Sequence, residues 1–136
     1  RKTPSMSTNY TVIVGKYAER HYISGFKRKY KGAWNMTWKA LVEEFKRIDA
    51  LIGETNIAET ITDQGNIRIC KTEFRVYGTR ESRHTSGNRC IVAVHKNTCV
   101  VNILVVYNKN DLSGSGETAS WKNLVKENYP EYASIL

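Results

Sequence analysis

Two short stretches of this chain concentrate the side chains that could act on a phosphate ester. The first runs Gly78-Thr-Arg-Glu-Ser-Arg-His-Thr-Ser-Gly-Asn-Arg89 and sets Arg80, Arg83, His84 and Arg89 within ten residues. Arginine suits phosphate because its planar fork makes two hydrogen bonds and stays charged at any working pH. Gly and Ser let backbone N–H groups approach a phosphate closely. His84 adds a group able to carry a proton. The bland alternative is a soluble connection between two strands. The second stretch, Tyr107-Asn-Lys-Asn-Asp111, follows the most apolar run of the chain. It would place Tyr107 and Lys109 at the end of a rigid strand, where an ordinary solvated strand end is the competing reading. His21 and His95 read as surface residues.

Metal chemistry is not expected. Cys70, Cys90, Cys99, His84 and His95 match no structural zinc spacing, and no C-x-x-C pair occurs. Cys70 and Cys90 fall within strand-like runs, where a free Cys is usually a small buried hydrophobe. The Walker and dinucleotide glycine patterns, H-E-x-x-H and G-x-S-x-G are also absent. Residues 68–109 hold only two acids, Glu73 and Glu81, too few for a magnesium-dependent nuclease. No cofactor is implied.

The elements that must position these residues follow from periodicity. Tyr10 to Val14 is a β-branched run and reads as a first strand. Ile23, Phe26 and Tyr30 recur at helical spacing up to a break at Lys31-Gly32. Trp34, Trp38, Leu41, Val42, Phe45, Ile48 and Leu51 then predict one long amphipathic helix, ended by Gly53 as its C-cap. Residues 67–77 read as a strand. Arg89 to Val94 and Val100 to Tyr107 read as a buried hairpin around His95-Lys-Asn-Thr98. A Gly/Ser loop from Asp111 leads to a last helix around Trp121, Leu124 and Val125, stopped near Pro130.

These elements predict an α+β domain over residues 10–136: a small, antiparallel-rich sheet of about four strands, with an N-terminal helical hairpin packed on one face and a C-terminal helix. Residues 1–9 are expected to be a flexible segment. They lack a hydrophobic core and do not read as a secretory signal. No apolar run is long enough to span a membrane. With three scattered cysteines read as reduced thiols, a cytoplasmic protein is expected.

The 136 residues carry 21 Lys and Arg against 13 Asp and Glu, a net charge of +8. Within them, residues 68–109 hold eight bases and two acids and form a basic block of +6, while 48–67 hold four acids and no base. Such a block points to a polyanion partner, nucleic acid first and an acidic protein second.

In this order the motifs resemble the RelE/ParE superfamily of bacterial toxins from type II toxin–antitoxin systems. The resemblance runs from Tyr10 to about Tyr132. It is carried by Gly87-Asn-Arg-Cys-Ile-Val92, by Ile103-Leu-Val-Val-Tyr-Asn-Lys-Asn-Asp111, and by Glu117-Thr-Ala-Ser-Trp-Lys-Asn-Leu with Glu127-Asn-Tyr-Pro-Glu131 after it. The loop from Gly78 to Asn88 is longer and richer in Arg than in compact relatives.

RelE-like members are metal-independent endoribonucleases, many acting on mRNA in the ribosomal A site; ParE-like members poison DNA gyrase. The resemblance therefore implies mRNA, the ribosome and a cognate antitoxin as partners. Its expected catalytic set is Arg89, Lys109, His84, Lys71 and Tyr107, with Arg75, Arg80, Arg83, Lys96 and Tyr129 contacting RNA. A gyrase inhibitor and a non-catalytic nucleic-acid-binding module are the alternatives.

Overall fold

The structure, a computed structural model, describes residues 9–112 and 116–136. The expected flexible segment thus lies, apart from Asn9, outside the described residues. Strand β1 (Thr11–Val14) leads into a helical stretch of α1 (Lys16–Ala18), a π-helical turn (Glu19–Ile23) and α2 (Ser24–Tyr30). Then come α3 (Gly32–Phe45), α4 (Ile48–Glu54), β2 (Ala58–Gln64), β3 (Ile67–Phe74), β4 (Asn88–His95), β5 (Val100–Asn108) and α5 (Glu117–Asn128). Short 3-10 turns follow β5 (Lys109–Asp111) and α5 (Pro130–Ile135).

The strands form one five-stranded sheet in the order β1-β5-β4-β3-β2. β1 runs parallel to β5 and every other pair is antiparallel. The α+β class and the central hairpin agree with expectation, and three details differ. β2 is an additional strand. Its sequence, Ala-Glu-Thr-Ile-Thr-Asp-Gln, is largely polar because it forms an edge, where Glu59 and Asp63 also discourage pairing with another chain. The long helix is two, α3 and α4. Arg47 leaves the helical region (φ −120°, ψ 41°), and the carbonyl of Lys46 accepts the Tyr10 N–H at 2.8 Å. Gly53 consequently lies inside α4 rather than capping it.

The helices also cover both faces of the sheet. Phe26, Trp34, Leu41, Phe45 and Ile48 from the N-terminal helices pack on Cys70, Phe74, Cys90, Val92, Ile103 and Val106. Trp121, Val125, Tyr129 and Tyr132 pack on Ile69, Ile91, Ala93, Leu104, Val105 and Tyr107 on the other side. Alternation along β3 and β4 sorts side chains between these two cores. This is why the β4 and β5 runs read as almost continuously apolar. Cys70 and Cys90 are buried, and burial pushes the Cys70 thiol up to about 11, so both serve packing.

A bulge in β5 determines which face receives Tyr107. Val92 pairs with Ile103 and Ile91 with Val105, leaving Leu104 as the extra residue. Beyond it the alternation is reversed, and Tyr107 joins Leu104 and Val105 on the α5 face, opposite Arg89.

Tyr129 locks this region. Its hydroxyl donates to the Leu104 carbonyl at 2.7 Å and accepts the N–H groups of Tyr17 (3.2 Å) and Ala18 (3.3 Å). Gly15 makes this possible, since a Cβ there would stand 2.8 Å from the Ile103 carbonyl and closer still to the Tyr129 hydroxyl. Tyr129, expected to contact RNA, is buried here, and its hydroxyl is bonded to backbone groups. Replacing it with Phe leaves two donors and an acceptor without that partner. Tyr129→Phe should lower unfolding stability by about 1–3 kcal/mol, read as a lower urea midpoint at unchanged slope. An unchanged midpoint would refute this role.

Candidate functional site

β3, β4 and β5 bring one charged row to the α5 face of the sheet. Glu73 pairs with Arg89, and Arg89 with Tyr107, directly across the strands. Lys71 lies two residues along β3 on the same face. Glu117, in the first turn of α5, closes over the row, at the end where a helix favours negative charge.

Arg89 is the centre of this group and only 3% exposed. Its two terminal nitrogens donate to the carbonyls of Asn88 (3.1 Å) and His84 (3.2 Å). One of them also lies 3.3 Å from the Glu73 carboxylate. Among the described residues its buried Nε has no hydrogen-bond partner, and a Glu117 carboxylate oxygen lies 3.9 Å away. That Glu117 oxygen accepts from the Tyr107 hydroxyl at 2.7 Å and from Lys71 Nζ at 3.3 Å. Glu73 also holds the His84 ring, with Nδ1 at 2.8 Å.

Protonation states follow from these contacts. Burial, reinforced by the hydrogen bond and negative charge of Glu117, raises the Tyr107 hydroxyl well above its ordinary range despite the opposing charge of Arg89. Tyr107 is thus a neutral phenol that can donate a proton. Burial pushes the Glu117 carboxyl upward. The Tyr107 hydrogen bond and the charges of Lys71 and Arg89 outweigh burial and hold it below the usual value. Glu117 is ionised at neutral pH.

Four of the five expected catalytic residues, Lys71, His84, Arg89 and Tyr107, meet in this cluster. Lys109 is exposed beyond the end of β5, with its N–H bonded to the Gly87 carbonyl at 2.8 Å. Its side chain makes no polar contact with the cluster.

The residues expected to contact RNA separate. Arg75 is exposed and bonds the Thr79 carbonyl at 3.2 Å, and Arg80 is exposed in the same loop. Arg83 turns away to the Glu44 carboxylate on α3 and to the Glu73 carbonyl at 2.9 Å. Lys96 sits at the far end of the hairpin, bound to Asp63 at 2.6 Å and to the Gly65 carbonyl at 3.0 Å. Lys96, expected to contact RNA with the loop arginines, is thus separated from them by the length of the hairpin. His95 is half-buried, bonded to the Tyr132 hydroxyl at 2.6 Å, rather than a free surface residue.

Two members of the cluster escaped the sequence reading as site residues: Glu73 and Glu117. Glu73 had a usable signal, its two-residue spacing from Lys71 on one strand. Glu117 lies far along the chain, and only the docking of α5 brings it to Lys71. Among the described residues, no three His, Cys, Asp or Glu side chains converge as metal ligands.

The loop is built to hold Arg89 and His84 at the sheet. Ser86 Oγ donates within reach of the Phe74 carbonyl (2.6 Å) and the Arg83 carbonyl (2.7 Å) and accepts the Asn88 N–H at 3.0 Å. Gly87 takes the positive φ of 77° that turns the chain into β4.

No family model matches the chain, and no curated protein matches it. Among solved structures it is similar to a chain of the archaeal RelE–RelB complex from Pyrococcus horikoshii OT3, at 11% identity and a TM-score of 0.53. That likeness covers 78% of this chain and 99% of the other. It shows a distant RelE-like fold.

The Glu117 contacts have a consequence in acid. Because its folded-state value lies below the ordinary 4.5, its contribution to stability is complete above the unfolded value and is lost as pH falls through the folded one. Glu117→Gln keeps an acceptor for Tyr107 but removes the titration. From about pH 5 downward it should lose less stability than the parent, measured by urea unfolding at stepped pH. Parallel profiles would refute the contribution.

Proposed function

We propose that this protein is the toxin of a type II toxin–antitoxin system and a metal-independent endoribonuclease that cleaves mRNA. The observation that carries the reading is the buried Arg89 guanidinium, with an unpartnered Nε, meeting Lys71, Tyr107 and His84 on one sheet face. The RelE-like fold and the basic block 68–109 support it.

The reaction is a transesterification. The RNA 2′-hydroxyl attacks the adjacent phosphorus, a cyclic phosphate forms, and the P–O5′ bond breaks to leave a 5′-hydroxyl. His84 takes the 2′-hydroxyl proton. With Nδ1 donating to Glu73, its Nε2 carries the lone pair. Arg89 and Lys71 stabilise the charge that builds on the phosphorane oxygens, at a site where burial strengthens their field. Tyr107, kept neutral, supplies the proton to the departing 5′-oxygen. The phosphate takes over the cations that Glu117 holds in the free protein.

The partner that restrains the toxin is an antitoxin with acidic residues facing the 68–109 block. Lys109, exposed beside Gly87, and the loop arginines Arg75 and Arg80 add longer-range attraction for RNA. Translating mRNA in the cytoplasm, with the ribosome presenting it, is the substrate this reading implies.

Arg89→Lys keeps the charge but loses the fork, and Lys71→Met removes a cation from the surface of the cluster. Each should lower cleavage by about 100-fold or more while most RNA binding remains. The readout is growth arrest on induced expression, with 5′-hydroxyl ends mapped inside coding sequences. New ends in the parent that vanish in both variants support the proposal. Arrest with intact mRNA and a DNA-damage response would replace it with gyrase inhibition, and no arrest would leave a binding module.

A further inference from the structure

β4 and β5 end in adjacent pairs of residues that alternate between faces. Arg89 and Tyr107 point to the α5 side, and their neighbours Asn88 and Asn108, paired with one another across the strands, point to the opposite side. There they meet a cavity of about 360 Å³, walled by Tyr22, Phe26, Lys29 and Tyr30 from the first helical stretch. A volume of this order accommodates a planar heterocycle.

The floor of the cavity has a defined polarity. Asn108 Oδ1 accepts the Asn110 N–H at 3.0 Å, so its amide nitrogen must be the group that donates to the Ser86 carbonyl (3.1 Å) and to Asn88 Oδ1 (2.9 Å). That assigns the Asn88 oxygen as the occupied atom and leaves its NH2 group without a partner among the described residues. Asn88 is only 3% exposed and lines the cavity, so this donor is fixed at the cavity floor. Asp111 supplies an acceptor at the rim.

The walls are unusual in two ways. Tyr22 and His21 lie on the π-helical turn, a distortion that recurs where a helix carries a site. Gly25 also lines the cavity, inside a helix where Gly costs about 1 kcal/mol relative to Ala. A Cβ at Gly25 would meet no atom within 4 Å, so packing does not demand the glycine. What it preserves is open space.

We propose that this cavity seats one nucleobase of the RNA strand whose phosphate lies at Arg89. The base stacks against Tyr22 and Tyr30, and a ring carbonyl accepts from the Asn88 amide. Asp111 favours a base that also carries an exocyclic amine, and Lys29 meets the backbone phosphate beside it. Cleavage would thereby acquire a base preference at a position next to the scissile bond. The inference rests on the RNA-cleaving reading, but its test does not require cleavage.

The probes are 2′-O-methyl hexanucleotides of A, C, G and U, which cannot be cleaved, with binding followed by fluorescence anisotropy at fixed low salt. The parent should rank the four over about tenfold in affinity, and Asn88→Asp, which keeps the bond from Asn108 but removes the donors, should abolish the ranking. Gly25→Leu projects a side chain into the cavity from a position where a Cβ meets no atom within 4 Å. It should weaken the preferred hexanucleotide about tenfold while its thermal midpoint stays at or above that of the parent. If both variants bind all four oligonucleotides as the parent does, the cavity is not a base site. If the ranking and its loss appear in a protein that cleaves no RNA, the base site stands and the catalytic reading falls. Cleavage by a parent that shows no ranking has the opposite meaning and overturns the base site.

Discussion

A guanidinium buried in a β-sheet is costly to desolvate and needs its charge met from several directions. Arg89 imposes that requirement here. The carbonyls of Asn88 and His84 can reach it only if the loop before β4 folds back on the strand, which the Ser86 hydroxyl and the positive φ of Gly87 enforce. Its charge is balanced by Glu73 beside it and by Glu117 from a helix far along the chain. Even so, Nε stays without a hydrogen-bond partner among the described residues. The protein therefore holds a cation that is nearly but not fully satisfied, and a phosphate oxygen is a natural group to complete it.

The geometry around Arg89 depends on backbone irregularity as much as on side chains. The extra residue at Leu104 turns Tyr107 onto the Arg89 face. The Leu104 carbonyl is in turn held by the Tyr129 hydroxyl, which also gathers the start of the first helical stretch. The C-terminal segment thus contributes twice, through Glu117 at one end of α5 and Tyr129 at the other. Docking this helix opposite the N-terminal helices gives the sheet two separate cores, and the charged row lies at the rim of the second.

Much of this was legible in the sequence. The apolar runs of β4 and β5, the aromatic spacing of α3 and the break at Lys31-Gly32 each follow from local pattern, and they place Arg89 and Tyr107 near one another. Local pattern fails where the reason is tertiary. β2 is polar because it is an edge, and the division between α3 and α4 comes from the Lys46 carbonyl serving β1. An arginine count could not separate Arg83, which secures the loop to Glu44, from Arg89 in the cluster. Nor could it show that Lys96 is held at the other end of the hairpin by Asp63. Glu117 became visible only once α5 had a place to dock.

The central claim is that Arg89, Lys71 and Tyr107 together receive a phosphate in exchange for the Glu117 carboxylate. The most direct measurement is a nitrogen NMR titration of the Arg89 Nε–H group with an uncleavable 2′-O-methyl oligoribonucleotide. The Nε–H resonance should move downfield and become protected from solvent exchange as the phosphate supplies the missing acceptor, with the Lys71 ammonium signal shifting at the same oligonucleotide concentrations. Binding that perturbs the exposed arginines of the 75–83 loop but leaves Arg89 and Lys71 unmoved would contradict the account.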